Sequence, residues 1–339
     1  MVKIKDIAKA TGYSITTVSK AFNGYTDISE EARRAVLETA ERLGYIPNGN
    51  ARSLATKKSN TIGIIFDEIT GVGFRHPFFA VVIEHFKNAV EKEGYDILFI
   101  SSSIGGKTNV KSYLEHCLQR GVDGVFIAAT QFEAECIHGL VSSDIPCVSV
   151  EIFTDQISCI NSNDYQGSYD ATKYMHDLGH RKIAHIAGAD VTYAGHERKR
   201  GYLSALQDLE IPLSNQYIVD GGYFAWKNGY NAMAELVKLK DRPTGIVVAG
   251  DMMALGAVKC IYDMGMTVPD DFSIIGFDNI EILQYSIPGI TTVAQDFENI
   301  GIKSAELLIS SMINPSFPKQ CIYLPTNIVE RDSCKKIDL

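Results

Sequence analysis

No stretch of this sequence approaches the roughly 18 consecutive apolar residues that a bilayer-spanning helix needs, and the N-terminus, MVKIKDIAKATGYS, lacks the apolar centre of a secretory signal. The seven cysteines, at 117, 136, 147, 159, 260, 321 and 334, are odd in number and scattered, and none stands in a CxxC pair. That pattern predicts free thiols in a reducing cytosol rather than a disulfide framework or a zinc site. A P-loop is missing, since GVGFRH has neither the lysine nor the spacing, and no GxSxG nucleophile elbow occurs. His176 and His180 stand four apart in HDLGH, but Gly179 ends the helix between them, so they need not share a face. The acidic side chains are plentiful and select no catalytic pair. These absences leave a cytoplasmic protein that is not an enzyme and carries neither metal nor cofactor.

Positive charge is scarce overall, with a net charge of −9, but it is not scarce everywhere. Residues 1–60 carry ten Lys and Arg against six Asp and Glu, whereas residues 61–339 carry 22 against 35. A basic head on an acidic body points to polyanion binding by one part only. At 339 residues the chain has room for two or three domains with separate cores.

The head reads as three helices. Ile4, Ile7 and Ala8, then Val18, Ala21 and Phe22, recur at the three- and four-residue spacing of amphipathic helices, with TGYS between them. Gly12 suits a left-handed turn and Ser14 an N-cap. A third helix starts at Ser29, turns Ala32, Ala35, Val36, Ala40 and Leu43 inward, and stops at Gly44. Two short helices joined by a glycine turn are a helix-turn-helix, whose second helix presents its first residues to base edges in the major groove. On that helix Ile15 suits a thymine methyl, Thr16 donates or accepts, and Lys20 reaches guanine O6 and N7. Thr17, Ser19 and Asn23 are short polar groups suited to phosphates, and Tyr45, Asn48 and Arg52 extend that positioning set.

Next comes PNGNARSLATKKSN, a polar stretch with a single large apolar residue, Leu54. A helix of about nine residues is marginal alone in water, and Gly49 weakens it by about 1 kcal/mol relative to Ala. From Thr61 onward, near-continuous apolar runs (TIGIIFD, YDILFISS, DGVFIAA, IPCVSVE) alternate with helical periodicity, and after about residue 160 the pattern restarts with RKIAHIAG, YIVDGG, TGIVVAG and FSIIGFD. Two successive parallel α/β units predict two lobes, with a ligand held beyond the C-terminal strand ends.

IKDIAKATGYSITTVSKAFNG resembles the N-terminal signature of the lactose/galactose repressor (LacI/GalR) family of bacterial transcription regulators. GYIPNGNARSLATKKSNTIGII is similar to that family's hinge and first strand. GVDGVFIAAT, GHRKIAHIAG, RKRGYLSAL, GDMMALGAV, VPDDFSIIGFDN and PGITTVAQDF continue the likeness in the family's order almost to the C-terminus. The resemblance implies a helix-turn-helix head at 1–46, a hinge helix at 47–60, and a body like a periplasmic binding protein at 61–339. It divides the body into one lobe of about 61–160 plus 293–322 and another of about 161–292 plus 323–339.

The same resemblance implies a hinge that becomes helical only on the operator, with Leu54 from each of two subunits wedged into the central base step. Asn50 departs from the apolar residue usual in the family. Arg198 and Asp278 match the family's most characteristic ligand contacts; Phe78, Phe79 and Phe224 match its aromatic or apolar faces, and Thr130 and Glu151 stand at strand ends. An arginine with five donors beside an acceptor-only carboxylate suits a hydroxyl-rich ligand. The expected partners are therefore double-stranded operator DNA, a small-molecule effector such as a sugar, and a second copy of the chain. No C-terminal leucine heptad follows to suggest a tetramer. Two other readings are a cytoplasmic carrier of sugars or nucleosides with a non-specific DNA-binding head, and an α/β enzyme with a regulatory head.

Overall fold

The computed structural model describes residues 2–46, 58–67, 73–101, 113–129, 135–152 and 154–337. They fall into two compact units: a head up to Thr61, with which the turn Arg120–Asp123 groups, and a body formed by the rest. Among the described residues no helix is long and apolar enough to cross a membrane.

The head consists of α1 (Ile4–Thr11), α2 (Ile15–Phe22) and α3 (Glu30–Leu43). Gly12 takes φ 76° at the end of α1, a conformation that costs a residue with a Cβ. Ser14 Oγ accepts from the Thr17 N–H at 3.0 Å, and Ser29 Oγ from the Ala32 N–H at 3.2 Å. Each serine thus satisfies one orphan donor of the helix it opens. Ile7, Val18 and Val36 are fully buried at the centre, ringed by Ala8, Ala21 and Ala40. Leu43 was expected inside but is 37% exposed, because the helix has turned past the core one residue before Gly44 ends it. Just before the body's first strand, the Ser59 and Asn60 N–H groups both donate to the Asp123 carboxylate, at 2.9 and 2.7 Å.

The body is built on two six-stranded sheets. The first contains β1 (Thr61–Phe66), β2 (Asp96–Ile100), β3 (Gly124–Ala129), β4 (Cys147–Val150), β5 (Ser158–Ser162) and β11 (Cys321–Leu324), in the order β11-β5-β4-β3-β1-β2. The second contains β6 (Ile183–Ala187), β7 (Ile218–Asp220), β8 (Gly245–Val248), β9 (Ser273–Asp278), β10 (Thr291–Ala294) and β12 (Asn327–Val329), in the order β12-β10-β9-β8-β6-β7. Only the β10–β12 pair is antiparallel among the registers described. Parallel strands need helical crossovers on both faces, which is why the strands read as unbroken apolar runs. The chain passes between the sheets after Ser162, after Ala294 and after Leu324.

The helix α4 (Pro77–Lys92) shows how sequence sets packing here. Proline at its first position loses nothing, since that N–H has no partner in a helix. Phe78, Val82, Phe86 and Val90 then form a four-residue stripe that is buried against the first sheet.

The expectation of free thiols throughout fails at one pair. Cys159 on β5 and Cys321 on β11 are direct register partners and are joined by a disulfide. The two are 162 residues apart in sequence, and only the pairing of the two strands brings them together.

Candidate functional site

The second sheet assembles a buried cluster around Arg198, which projects from α8 (Tyr193–Asp208) and is 2% exposed. Its Nε donates to Asp164 Oδ1 at 2.7 Å, and its Nη1 to the Ala249 carbonyl at 2.6 Å and to Asp278 Oδ1 at 3.2 Å. The guanidinium carbon lies 3.8 Å from the Phe277 ring centroid and 5.6 Å from that of Phe224. Two carboxylates and a carbonyl thus fix one edge of the fork while aromatic faces fix its plane. Nη2 makes no hydrogen bond to the described residues.

Asp278 closes β9 and is held in turn. Its Oδ1 also accepts from Gln295 Nε2 at 2.6 Å, whereas Gln295 Oε1 is buried with no partner. Behind it, Asp251 at the start of α10 (Asp251–Asp263) is fully buried. Its carboxylate accepts from the Ile280 N–H at 2.9 Å and the Thr292 hydroxyl at 2.7 Å, fixing the loop that follows Asp278. Burial raises the carboxyls of Asp251, Asp164 and Asp278 above the usual range, opposed at Asp164 and Asp278 by the Arg198 charge.

Backbone strain gathers in the same place. Glu151, Phe224, Asp278 and Asn279 all take positive φ, at 58°, 51°, 120° and 61°. Each such residue costs on the order of 1–3 kcal/mol and persists only where its surroundings dictate it. For Phe224 the surroundings include glycine: a Cβ at Gly188 would lie 2.5 Å from its ring. Glu151 directly follows β4, and its N–H donates to Asn161 Oδ1 at 2.7 Å. These residues stand at the C-terminal ends of parallel strands or just beyond them, where open α/β sheets bind ligands.

Arg198, Asp278 and Phe224 are therefore brought together as expected, and Glu151 faces them closely enough for its charge to couple to Asp164, Arg198 and Asp278. Phe78 is not part of this set. It is 3% exposed and packs edge-on against Phe297 in the core of the first lobe, as its place on the α4 stripe requires. Phe79, half-buried beside it, packs on Phe66 and Phe78 at ring distances of 5.4 and 5.0 Å. Trp226 lies against Tyr230 and is 43% exposed. Thr130 lies outside the described residues. Asp164, Asp251 and Gln295 were not anticipated; the N-cap-like run NSND before α7 (Asp164–Asp177) was the only signal near Asp164. A cavity of about 350 Å³ borders Asp164, lined further by Tyr193, Glu197, Arg200 and Tyr323.

Burial, followed by repulsion from Asp164, pushes the Glu151 carboxyl from an ordinary 4.5 up to about 8. The folded chain then binds this proton more tightly than the unfolded chain. The stabilisation is complete below pH 4.5 and is lost as the pH rises through about 8. Glu151→Gln is expected to remove part of the fall in Tm across that window and to be the more stable form at its alkaline end. Parallel Tm–pH curves for the two proteins would take Glu151 out of the buried cluster.

On the head, Ile15 is 54% exposed, and Thr16 is exposed next to it at the start of α2. Lys20 lies on the same helix and forms an ion pair with Asp27. The Thr17 hydroxyl shares a hydrogen bond with Ser14 Oγ at 2.9 Å, and Asn23 Nδ2 donates to Ser19 Oγ at 3.4 Å. The Tyr45 ring packs on Phe22 at 5.2 Å. Asn48, Arg52 and Leu54 lie outside the described residues.

Residues 3–48 match the profile of bacterial regulatory proteins of the lacI family, and residues 172–334 match that of a periplasmic binding protein-like domain. The chain is 37% identical to the "Probable HTH-type transcriptional repressor ExuR" of Bacillus subtilis over 99% of both chains. It is 33% identical to the HTH-type transcriptional repressor PurR of Edwardsiella ictaluri, over 98% of this chain and 97% of that one. The Lac repressor dimer bound to operator and the anti-inducer ONPF has the same fold, with a TM-score of 0.84 at 24% identity over 98% of this chain and 99% of that one. The complex of the transcriptional regulator CelR with cellobiose superposes with a TM-score of 0.73 at 26% identity, over 98% of this chain and 100% of that one.

Proposed function

The chain belongs to the LacI family of bacterial regulatory proteins, transcriptional repressors by the names of its relatives, and on that premise we propose that it grips a near-palindromic operator as a homodimer and is controlled by a sugar bound between the two sheets of its body. The observation that carries the effector reading is the Arg198 bracket: a buried guanidinium with one free donor, beside carboxylate and amide acceptors and an aromatic face. Adjacent hydroxyls both donate and accept, so they suit such a mixed rim. The cellobiose complex of the similar CelR supports the same ligand class.

A dimer follows from the way helix-turn-helix units meet two half-sites. Ile282, Tyr285 and Ile287, in the segment after Asp278, are 51%, 67% and 91% exposed, and this apolar run suits burial against a second copy. DNA binding places the protein in the cytoplasm. The reading asks for no metal, no cofactor and no catalytic step.

Thermal-shift screening against monosaccharides, disaccharides and nucleosides tests the effector. A ligand at about 100 times its Kd adds about 2.7 kcal/mol to stability, a shift of several degrees. A nucleoside that shifts Tm where every sugar fails would overturn the sugar assignment. Gel-shift titration at two salt concentrations tests the head: a regulator prefers one palindrome and loses affinity steeply with salt. Equal affinity for every sequence would favour the carrier reading.

The Lys20–Asp27 pair makes a finer prediction. Before Lys20 can meet a base it must leave Asp27, whose carboxyl the lysine holds below the usual range. Asp27→Asn is expected to tighten operator binding by about threefold at low salt, with the gain shrinking as salt screens the pair. Weaker binding on fluorescence anisotropy would mean that Asp27 positions Lys20 instead of competing for it.

A further inference from the structure

Cys159 and Cys321 occupy neighbouring strands, β5 and β11, at the edge of the first sheet. Both strands run directly into passages to the second lobe, after Ser162 and after Leu324. We propose that this pair is a reversible thiol–disulfide site, oxidised by hydroperoxides, that ties the two crossing strands together and stiffens the effector site beyond them.

The two thiols are unequal in access. Cys321 is exposed and Cys159 is fully buried. A hydroperoxide therefore meets Cys321 first: its thiolate attacks the peroxide oxygen, the O–O bond breaks, and Cys321 becomes a sulfenic acid as the hydroperoxide leaves as an alcohol or water. Cys159, already opposite in register, attacks the sulfenic sulfur through its thiolate. The S–S bond forms and water carries away the sulfenic oxygen with the proton. A dithiol reverses the step by exchange, taking up the oxidising equivalents as its own disulfide. Reducing cytosol keeps the pair as thiols until oxidant appears. Cys117, Cys147, Cys260 and Cys334 are free and offer no equivalent site: the first three are buried, and the thiols of Cys117 and Cys334 are pushed up to about 12.

The tie connects to the cleft by short steps. Alternation along a strand puts Asn161 on the same face as Cys159, and Tyr323 on the same face as Cys321. Asn161 Nδ2 lies 3.9 Å from Cys159 Sγ, and its Oδ1 receives the Glu151 N–H that holds the strained end of β4. Tyr323 lines the same cavity as Tyr193, which stands in the first turn of the helix that carries Arg198. Fixing β5 against β11 thus restrains both sides of the site through contacts already in place.

The test uses the full-length chain, reduced with dithiothreitol, desalted and exposed to hydrogen peroxide. Differential alkylation with peptide mass spectrometry reads the bond, and hydrogen–deuterium exchange reads the segment around Glu151. The expected result is a Cys159–Cys321 linked peptide that dithiothreitol removes, together with exchange around Glu151 slowed by about threefold or more. Cys321→Ser should abolish both, and at an exposed position it leaves the fold intact. Four results would each overturn the proposal: no linked peptide under peroxide, a link that resists dithiothreitol in the folded protein, a reversible link with unchanged exchange at Glu151, or equal slowing in Cys321→Ser.

Discussion

Arg198→Ala is expected to raise the effector Kd by about 10- to 100-fold and so to remove most of the response of operator binding to effector. Losing a charge-assisted hydrogen bond to a ligand costs about 1.5–3 kcal/mol, and each 1.4 kcal/mol is tenfold in affinity. The substitution also leaves Asp164 and Asp278 without the cation that both contact. Breaking one side of a buried ion pair costs about 3–5 kcal/mol of stability, so the body should melt well below the parent.

The unpaired carboxyls then have raised values in the folded state, and a group of that kind loses its contribution as pH rises through its folded value. The variant should consequently recover stability on mild acidification, which an ordinary cavity mutant does not do. Arg198→Lys is the useful companion. It keeps the charge, but a single ammonium cannot reproduce the fork that spans Asp164, Ala249 and Asp278. It should retain much of the stability and little of the effector response. Thermal melts at two pH values, with and without the sugar that shifts the parent, separate these effects. An undiminished shift in either variant would remove Arg198 from the site.

What the sequence revealed and what it hid divide along the range of the interactions. The head was legible because its determinants are local: Ser14 and Ser29 cap the helices they precede, and Gly12 and Gly44 stop the ones they follow. Strands buried on both faces declared themselves by apolar runs, but β5 did not, because it ends in Asn161 and Ser162. The pairing of Arg198 with Asp278 was anticipated by resemblance, yet the shorter contact is to Asp164. Apart from the N-cap-like NSND run, little distinguishes Asp164 from the other acids of a chain with 41 Asp and Glu until α7 is placed against α8. The disulfide was hidden for the same reason. Phe78 is different, since the four-residue stripe through Val82, Phe86 and Val90 marks it as core, and a closer reading of periodicity separates it from Phe79.

Leu54→Ala is expected to weaken operator binding by about 30- to 100-fold and to reduce the bend, with effector binding unchanged. Residues 47–57 lie outside the described residues. By composition, a polar stretch with Gly49 and Asn50 is expected to be marginal as a helix of about nine residues. Its far end is fixed, because the Asp123 carboxylate receives the N–H groups of Ser59 and Asn60. An apolar wedge driven between base steps costs a few kcal/mol in unstacking and is offset by the wider contact that bending allows.

Truncating the wedge removes that contact and changes no charge. The slope of log affinity against log salt should therefore stay the same while the absolute affinity falls, whereas loss of a phosphate contact would lower the slope by about one. Leu54→Met, flexible and still apolar, should keep most of the bend. Fluorescence transfer between dyes at the two operator ends measures the angle. If the Ala variant bends the duplex as far as its parent does, Leu54 is no wedge, and coupling between the effector site and the operator must run through the major-groove helices alone.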